Sequence, residues 1–194
     1  MESIGFKEWA VVCEALGRGE QCVILRKGGI AEGRDGFAFR HKEFFLFPTF
    51  FHEQIGKTRL ADAELPSRNE KEIEIRFSAK AELTSLITSL ETALALAPLH
   101  VLQSDVIRER FEADGAGAIH VALVRIFRLA PRWMFPDAPS YGGCRSWVPL
   151  PAFPEGTRLA PVLGDDEFAR RKEEFQSMLS ASTKSASSAS AGRS

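Results

Sequence analysis

Residues 26 to 53 carry the chain's densest group of side chains able to do chemistry. Arg26 and Lys27 precede Gly28-Gly29, and His41, Thr49, His52 and Glu53 follow among phenylalanines. Two cations beside a glycine turn can surround an anion with backbone N–H groups. A triphosphate-binding loop is ruled out, because that motif needs GxxxxGK leading into a helix. Here the lysine precedes the glycines, and Ala31-Glu32-Gly33 is no helix start. A turn flanked by solvated charges is the plainer alternative. His41, His52 and Glu53 are suitable metal ligands by type, and Glu43 shares a strand face with His41. Their spacing matches no ligand pattern, so no metal, cofactor or catalytic residue is assigned.

A second group lies at Tyr141-Gly142-Gly143-Cys144-Arg145-Ser146-Trp147. Cys144 and Ser146 sit in a glycine turn as nucleophiles often do, but the turn is not a GxSxG elbow and no base can be paired with them. Cys144 is expected to be buried and inert. Between residues 118 and 150, Arg125, Arg128, Arg132 and Arg145 face Asp137 as the sole acid, with Trp133, Tyr141 and Trp147 interleaved. Arginine mixed with aromatic rings suits single-stranded nucleic acid, with phosphates on the guanidinium groups and bases on the rings. Alternation into Val148 and Leu150 predicts that Trp147 turns away from the core beside Arg145, as a stacking platform. Arg125 reads equally as a buried ion-pair partner.

The elements that must position these groups follow from periodicity. Phe6, Trp9, Ala10, Cys13 and Leu16 fall at helical spacing, with Gly17 placed to end the helix. Residues 21–25 read as a buried strand, 30–36 as a polar loop, and 37–47 as a strand broken at Pro48. Residues 56–71 read as a charged surface excursion. Strict alternation makes 72–77 a strand with Ile73, Ile75 and Phe77 inward, while Leu83, Leu86, Ile87, Leu90 and Leu94 predict a helix. A short helix over 104–111, a strand over 119–129, and irregular chain over 131–139 and 149–156 come next. A last helix starts at Asp165-Asp166 with Phe168, Phe175, Met178 and Leu179 on one stripe.

The whole reads as one α+β domain over residues 1–179, with a mixed or mostly antiparallel sheet and helices packed on it. Residues 180–194 read as a disordered Ser/Ala-rich tail. Among its 194 residues, 44% are hydrophobic and 26% charged, which fits a soluble globule. The formal net charge is -1, so attraction to nucleic acid must come from a local patch. Fifteen Phe against one Tyr predict a core filled by aromatic packing. Three cysteines without CxxC spacing argue against disulfides and zinc, and no leader or membrane span is read, so a cytoplasmic setting is expected.

Lys7-Glu8-Trp9, Leu25 to Ile30, Phe44 to Thr49 with His52, and Tyr141 to Trp147 occur together in this order. In these motifs the chain resembles the bacterial family catalogued as domain of unknown function 1802, over about residues 5 to 150. The resemblance implies a connection to restriction-type nuclease domains, with which some members are associated, but this chain contains none, so cutting would fall to a separate nuclease subunit. The expectation is a non-catalytic nucleic-acid-binding module serving a restriction or defence system. Its contacts would come from Arg26, Lys27, Gly28, Gly29, His41, Thr49, His52, Arg128, Tyr141, Arg145 and Trp147. Two alternatives stand beside it: a metal-assisted hydrolase or nuclease-like enzyme using His41, His52 and Glu53, and a small-molecule sensor or interaction protein. The sequence leaves the oligomeric state open.

Overall fold

Strand β1, Ile4–Trp9, occupies the stretch whose spacing predicts a helix. Helix α1 begins only at Ala10 and spans Ala10–Gly17. The apparent helical period runs across a strand–helix junction. The strand prevails because both of its edges are paired. Strand β3, Glu43–Thr49, runs parallel to one edge, and β6, Trp147–Pro149, antiparallel to the other. Such pairing and burial decide a segment's state over its local pattern.

The computed structural model describes residues 2–27, 37–60, 66–68 and 71–190. These form one mixed sheet completed by β2 (Val23–Lys27), β4 (Glu72–Ile87), β5 (Ile119–Pro136) and β7 (Arg158–Pro161). The strand order is β2-β5-β4-β3-β1-β6, with β7 alongside β5. Helices α2 (Leu90–Ala95), α3 (Ser104–Glu112) and α4 (Asp165–Ser190) complete the described α-helices. None of the described helices is long and apolar enough to cross a membrane. The polar loop predicted over 30–36 lies outside the described residues.

Three further elements differ from the sequence pattern. The leucine spacing from Leu83 to Leu94 predicts one helix, yet β4 continues to Ile87. There Leu83, Ser85 and Ile87 pair with Leu123, Val121 and Ile119 of β5. Leu86 is left 53% exposed, as strand alternation requires and a buried helical stripe would not allow. Only the short α2 follows, its first turn capped by the Ser89 hydroxyl, which accepts from the Thr92 N–H at 3.3 Å. Strand β5 likewise continues through Pro131, where irregular chain was expected. That proline falls in the register shift between Ile75 and Phe77, where no regular ladder partner is lost. Pro48 sits inside β3 opposite Glu8, beyond the residues Glu43–Phe45 that pair with β4.

The register shift has a second effect. Ile75 and Phe77 have the same parity, but the bulge between them sends their side chains to different clusters. Phe77 joins the larger core, with Phe6, Phe44, the β2 and β5 aliphatics, and Phe168 and Phe175 of α4. Ile75 joins the smaller one, with Phe45, Phe47, Trp133, Phe135 and Val148. Met178 and Leu179 are the last described α4 side chains packed on the core, although the helical backbone runs to Ser190.

Gly17 is needed for space rather than for a turn. A Cβ there would stand 2.0 Å from Cζ of Phe77. Gly17→Ala should therefore destabilise the fold by about 1–3 kcal/mol, the usual cost of overpacking a close-fitted site. A urea midpoint unchanged from the parent would refute this.

His100 is buried, and its Nδ1 accepts the Leu102 N–H at 3.1 Å, so the proton of the neutral ring sits on Nε2. Burial, with Arg59 and Arg110 nearby, lowers its pKa from 6.5 to about 3. The folded state thus resists a proton that the unfolded state accepts. Stability from this group is complete above pH 6.5 and declines as pH falls towards 3, by up to roughly 4 kcal/mol. Urea melts between pH 7 and 3.5 should show this decline, and His100→Gln should remove most of it.

Candidate functional site

The two ends of the sheet path meet through side chains. Arg26, at the end of β2, donates from Nε and Nη2 to the Ser146 hydroxyl at 3.3 and 3.0 Å. Ser146 directly precedes β6, the strand at the opposite end of the sheet order. The Arg26 guanidinium also lies 5.3 Å from the Phe6 ring centroid, where its charge meets the ring face. Phe6 is fully buried and touches the rings of Phe37, Phe39, Phe44 and Trp147.

Lys7, the next residue, points to the other face of β1 and is only 7% exposed. Its Nζ donates to the carbonyl oxygens of Gly142 and Gly143, both at 3.0 Å. It makes no ion pair with a described carboxylate. Burial lowers its pKa, the Cys144 thiol nearby opposes that, and Arg145 and Arg26 add to the lowering. Arg26 bonds to the Ser146 hydroxyl and the Lys7 backbone N–H donates to the Ser146 carbonyl at 2.8 Å, so both strands attach along one seam to the turn that carries Arg145. Another cation, Arg110, is buried beside it, donating to the Leu25 carbonyl at 2.5 Å and lying 4.6 Å from the Trp9 ring. Burial lowers the Arg110 pKa, and the buried carboxylate of Glu8 works in the opposite direction. Lys7, Glu8 and Arg110 did not stand out as site residues from residue type and spacing. The signal that could have found Lys7 is a lysine inside an apolar strand, between Phe6 and Trp9.

Lys7 also lines a cleft of about 650 Å³. Thr49 and Tyr141, both expected at a site, line it too. The Thr49 hydroxyl donates to the Glu8 carbonyl at 3.0 Å. Tyr141 packs on Phe47 and Phe135, and burial followed by the Asp137 charge raises its phenol pKa. Most charges in the cleft are paired: Arg76 with Glu14 at 2.5 Å, Arg68 with Asp137 at 3.9 Å, and Glu74 with Arg132 at 2.7 Å.

The remaining expected residues divide. Arg26, His41, Arg145 and Trp147 belong to the seam. His41 Nδ1 is 2.9 Å from the Glu2 carboxylate, and its ring lies 4.9 Å from Trp147. Lys27 is exposed at the end of β2, while Gly28 and Gly29 lie outside the described residues. His52 and Glu53 are exposed on a 3-10 turn, His52–Lys57. Among the described residues, His41, His52 and Glu53 form no metal-holding group. Arg128 serves the core, donating to the Gly17 carbonyl at 2.7 Å and covering the Phe77 ring. Arg125 pairs with Asp165, as its ion-pair reading anticipated. Cys144 is exposed rather than buried, while Cys13 and Cys22 are the buried thiols.

Trp147 corrects the picture of a free stacking platform. Its indole lies 4.8 Å from Phe6 and 5.2 Å from Phe44, and its N–H donates to the Ala38 carbonyl at 3.3 Å. Val148 fills the smaller core on the opposite face, so both faces of β6 are covered and alternation could not choose an outer one. Trp147→Ala should cost roughly 3 kcal/mol of stability, near the low end for emptying an aromatic site, because the ring is half-buried. A loss below about 0.5 kcal/mol, the range of ordinary surface changes, would restore the platform.

No curated protein matches this chain. Among solved structures, the ASCH protein of Zymomonas mobilis is similar at 12% identity, covering 77% of this chain and 88% of that one with a TM-score of 0.46. A point mutant of that protein is similar at 13% identity, covering 78% and 91%, also with a TM-score of 0.46. The profile of the family described as Domain of unknown function (DUF1802) matches residues 5–174, from within β1 to within α4 and so through both the seam and the cleft. The chain belongs to that family.

Proposed function

We propose that this chain is a non-catalytic module that binds single-stranded nucleic acid along the seam between β2 and β6. One observation supports the reading above the others: Arg26 bonds to Ser146, the residue next to the exposed Arg145, so two guanidinium groups flank the seam. The nearby carboxylates are already committed, Glu8 by burial and Glu2 by His41. Arg145 is exposed and forms no ion pair among the described residues, and Lys27 extends the positive edge. A phosphate neutralises such charge at little desolvation cost and releases counterions. Arg26 is held by Ser146 and Phe6, so its guanidinium is oriented before any strand arrives. Trp147 supports this edge from beneath instead of stacking on bases. Service to a restriction or defence system, with a separate nuclease subunit doing the cutting, is part of the same proposal and rests on the family resemblance.

Fluorescence anisotropy with a labelled oligonucleotide of mixed sequence, titrated over a salt series, tests this. Binding should weaken steeply with salt. Arg145→Ala should leave stability within about 0.5 kcal/mol. It should also reduce the log–log salt slope by about 0.7, the value for one phosphate contact on a single strand. Binding indifferent to salt, or an unchanged slope in the variant, refutes the reading.

A further inference from the structure

The cleft below the Gly142-Gly143 turn suits a different part of a nucleic acid from the seam. Its lining holds four acids, Glu14, Glu72, Glu74 and Asp137, against three cations, Lys7, Arg68 and Arg76. Arg132, paired with Glu74 at 2.7 Å, brings the fourth positive charge, so the cleft offers no net attraction to a phosphate. Arg68 and Asp137 are its loosest pair. Their nearest atoms stand 3.9 Å apart, beyond hydrogen-bond reach, and both side chains are partly exposed. Oδ1 of Asp137 accepts the Ala138 N–H at 2.8 Å, while Oδ2 is the oxygen nearest Arg68. A guanidinium donor and a carboxylate acceptor thus lie side by side without satisfying each other. Phe47 and Tyr141 pack on one another as a single apolar wall, and the Arg68 guanidinium lies 5.6 Å from the centroid of the Phe50 ring.

We propose that this cleft receives one unstacked nucleobase of the strand held at the seam, an inference that rests on the function proposed above. A nucleobase is flat and neutral, and its edge sets an N–H donor next to an acceptor oxygen or nitrogen. Asp137 Oδ2 takes the N–H and Arg68 donates to the neighbouring acceptor, so adjacent atoms of one edge bridge two groups too far apart to bond directly. Proteins commonly read single strands in this way, by the hydrogen-bonding edges of unstacked bases. The volume of about 650 Å³ lies within the usual range for sites of this kind. One turn serves both places. Gly142 and Gly143 line the cleft, while Ser146, next to Arg145, takes the Arg26 bond at the seam. Gly143 and Arg145 are two residues apart, at most about 7 Å of backbone, so a phosphate on Arg145 leaves its own base within reach of the cleft. The charge balance then sorts the strand, with backbone drawn to the seam and the neutral base to the cleft.

Protein-observed NMR titrations of the full chain with inosine, 1-methylinosine and ribose test the cleft without the strand. Inosine should shift the cleft signals saturably, and ribose should not. 1-Methylinosine, whose edge N–H is replaced by a methyl group, should bind about tenfold more weakly, as expected for losing one hydrogen bond to a charged group. Arg68→Ala and Asp137→Ala, both at exposed positions, should each weaken inosine by a similar factor with the urea midpoint unchanged. In the anisotropy titration, a base-bearing oligonucleotide should bind more tightly than an abasic strand of equal length. Arg68→Ala should remove that difference and keep the salt slope, whereas Arg145→Ala should lower the slope and keep the difference. Inosine binding no better than 1-methylinosine or ribose overturns the proposal, and salt-dependent strand binding beside that result leaves the seam standing alone. Inosine bound in the cleft with no strand binding at all overturns the seam, and with it the strand as the source of the base.

Discussion

A strand buried on both faces has to place every side chain it carries, and β1 carries an ammonium and a carboxylate. Glu8 is 1% exposed and Lys7 is 7% exposed, in the middle of a six-residue strand. A buried charge left without partners costs several kcal/mol, a large share of an ordinary domain's stability. The fold answers with backbone. Gly142 and Gly143 bring their carbonyls to Lys7, and the N–H of Trp9 donates to Glu8 at 2.8 Å. The turn carrying those carbonyls also brings Arg145 and Ser146 to Arg26. Satisfying one lysine therefore assembles the seam.

The same strand separates two cores. Phe6 and Phe44 face the larger core while Phe45 and Phe47 face the smaller, so β1 and β3 form the wall between them. The long hairpin of β4 and β5 reaches both cores because its bulge reverses the pleat between Ile75 and Phe77. Gly17 lets the Phe77 ring press against the end of α1, and its carbonyl receives Arg128. Arginines that read as a basic face in sequence are thus largely structural. Arg125, Arg128 and Arg132 are each committed to an acid or a carbonyl, which leaves the positive edge to Arg26, Lys27 and Arg145.

What could be read in the sequence was local. The α3 boundaries, the α4 stripe and the turn into β6 follow from spacing, glycine and acidic caps, all of which act within a few residues. Beyond that range the reading failed for a physical reason. Phe6 and Trp9 fit a helix with Cys13 and Leu16 because a strand ending in a helix can mimic a 3.6-residue period. Only pairing with Phe45 to Thr49, some forty residues away, decides otherwise. The same holds for Leu83 to Ile87, whose β5 partners lie more than thirty residues on. The site was half readable. Arg26 reaches Ser146 and His41 reaches Trp147, while Thr49 and Tyr141 line the cleft, so the expected residues fall in two places instead of one. Lys7 drew notice only through the motif that links it to its family, since nothing in its spacing reveals the carbonyls waiting for it 135 residues later.

The placement of β1 constrains how the protein can be made. Its partner β6 ends at Pro149, so an emerging chain holds a Phe-bearing strand with one side open until residue 149 has left the ribosome. Contacts between such distant segments form slowly, because a long loop must close before they contribute anything. In that interval the strand offers unpaired backbone and an aromatic face to any other nascent chain. The pressure on this sequence therefore includes a demand that leaves no trace in the finished contacts: residues 4–9 must stay out of trouble until the last strand beside them arrives. The lysine and glutamate in the middle of β1, costly to bury at the end, supply charge that discourages self-association at the beginning.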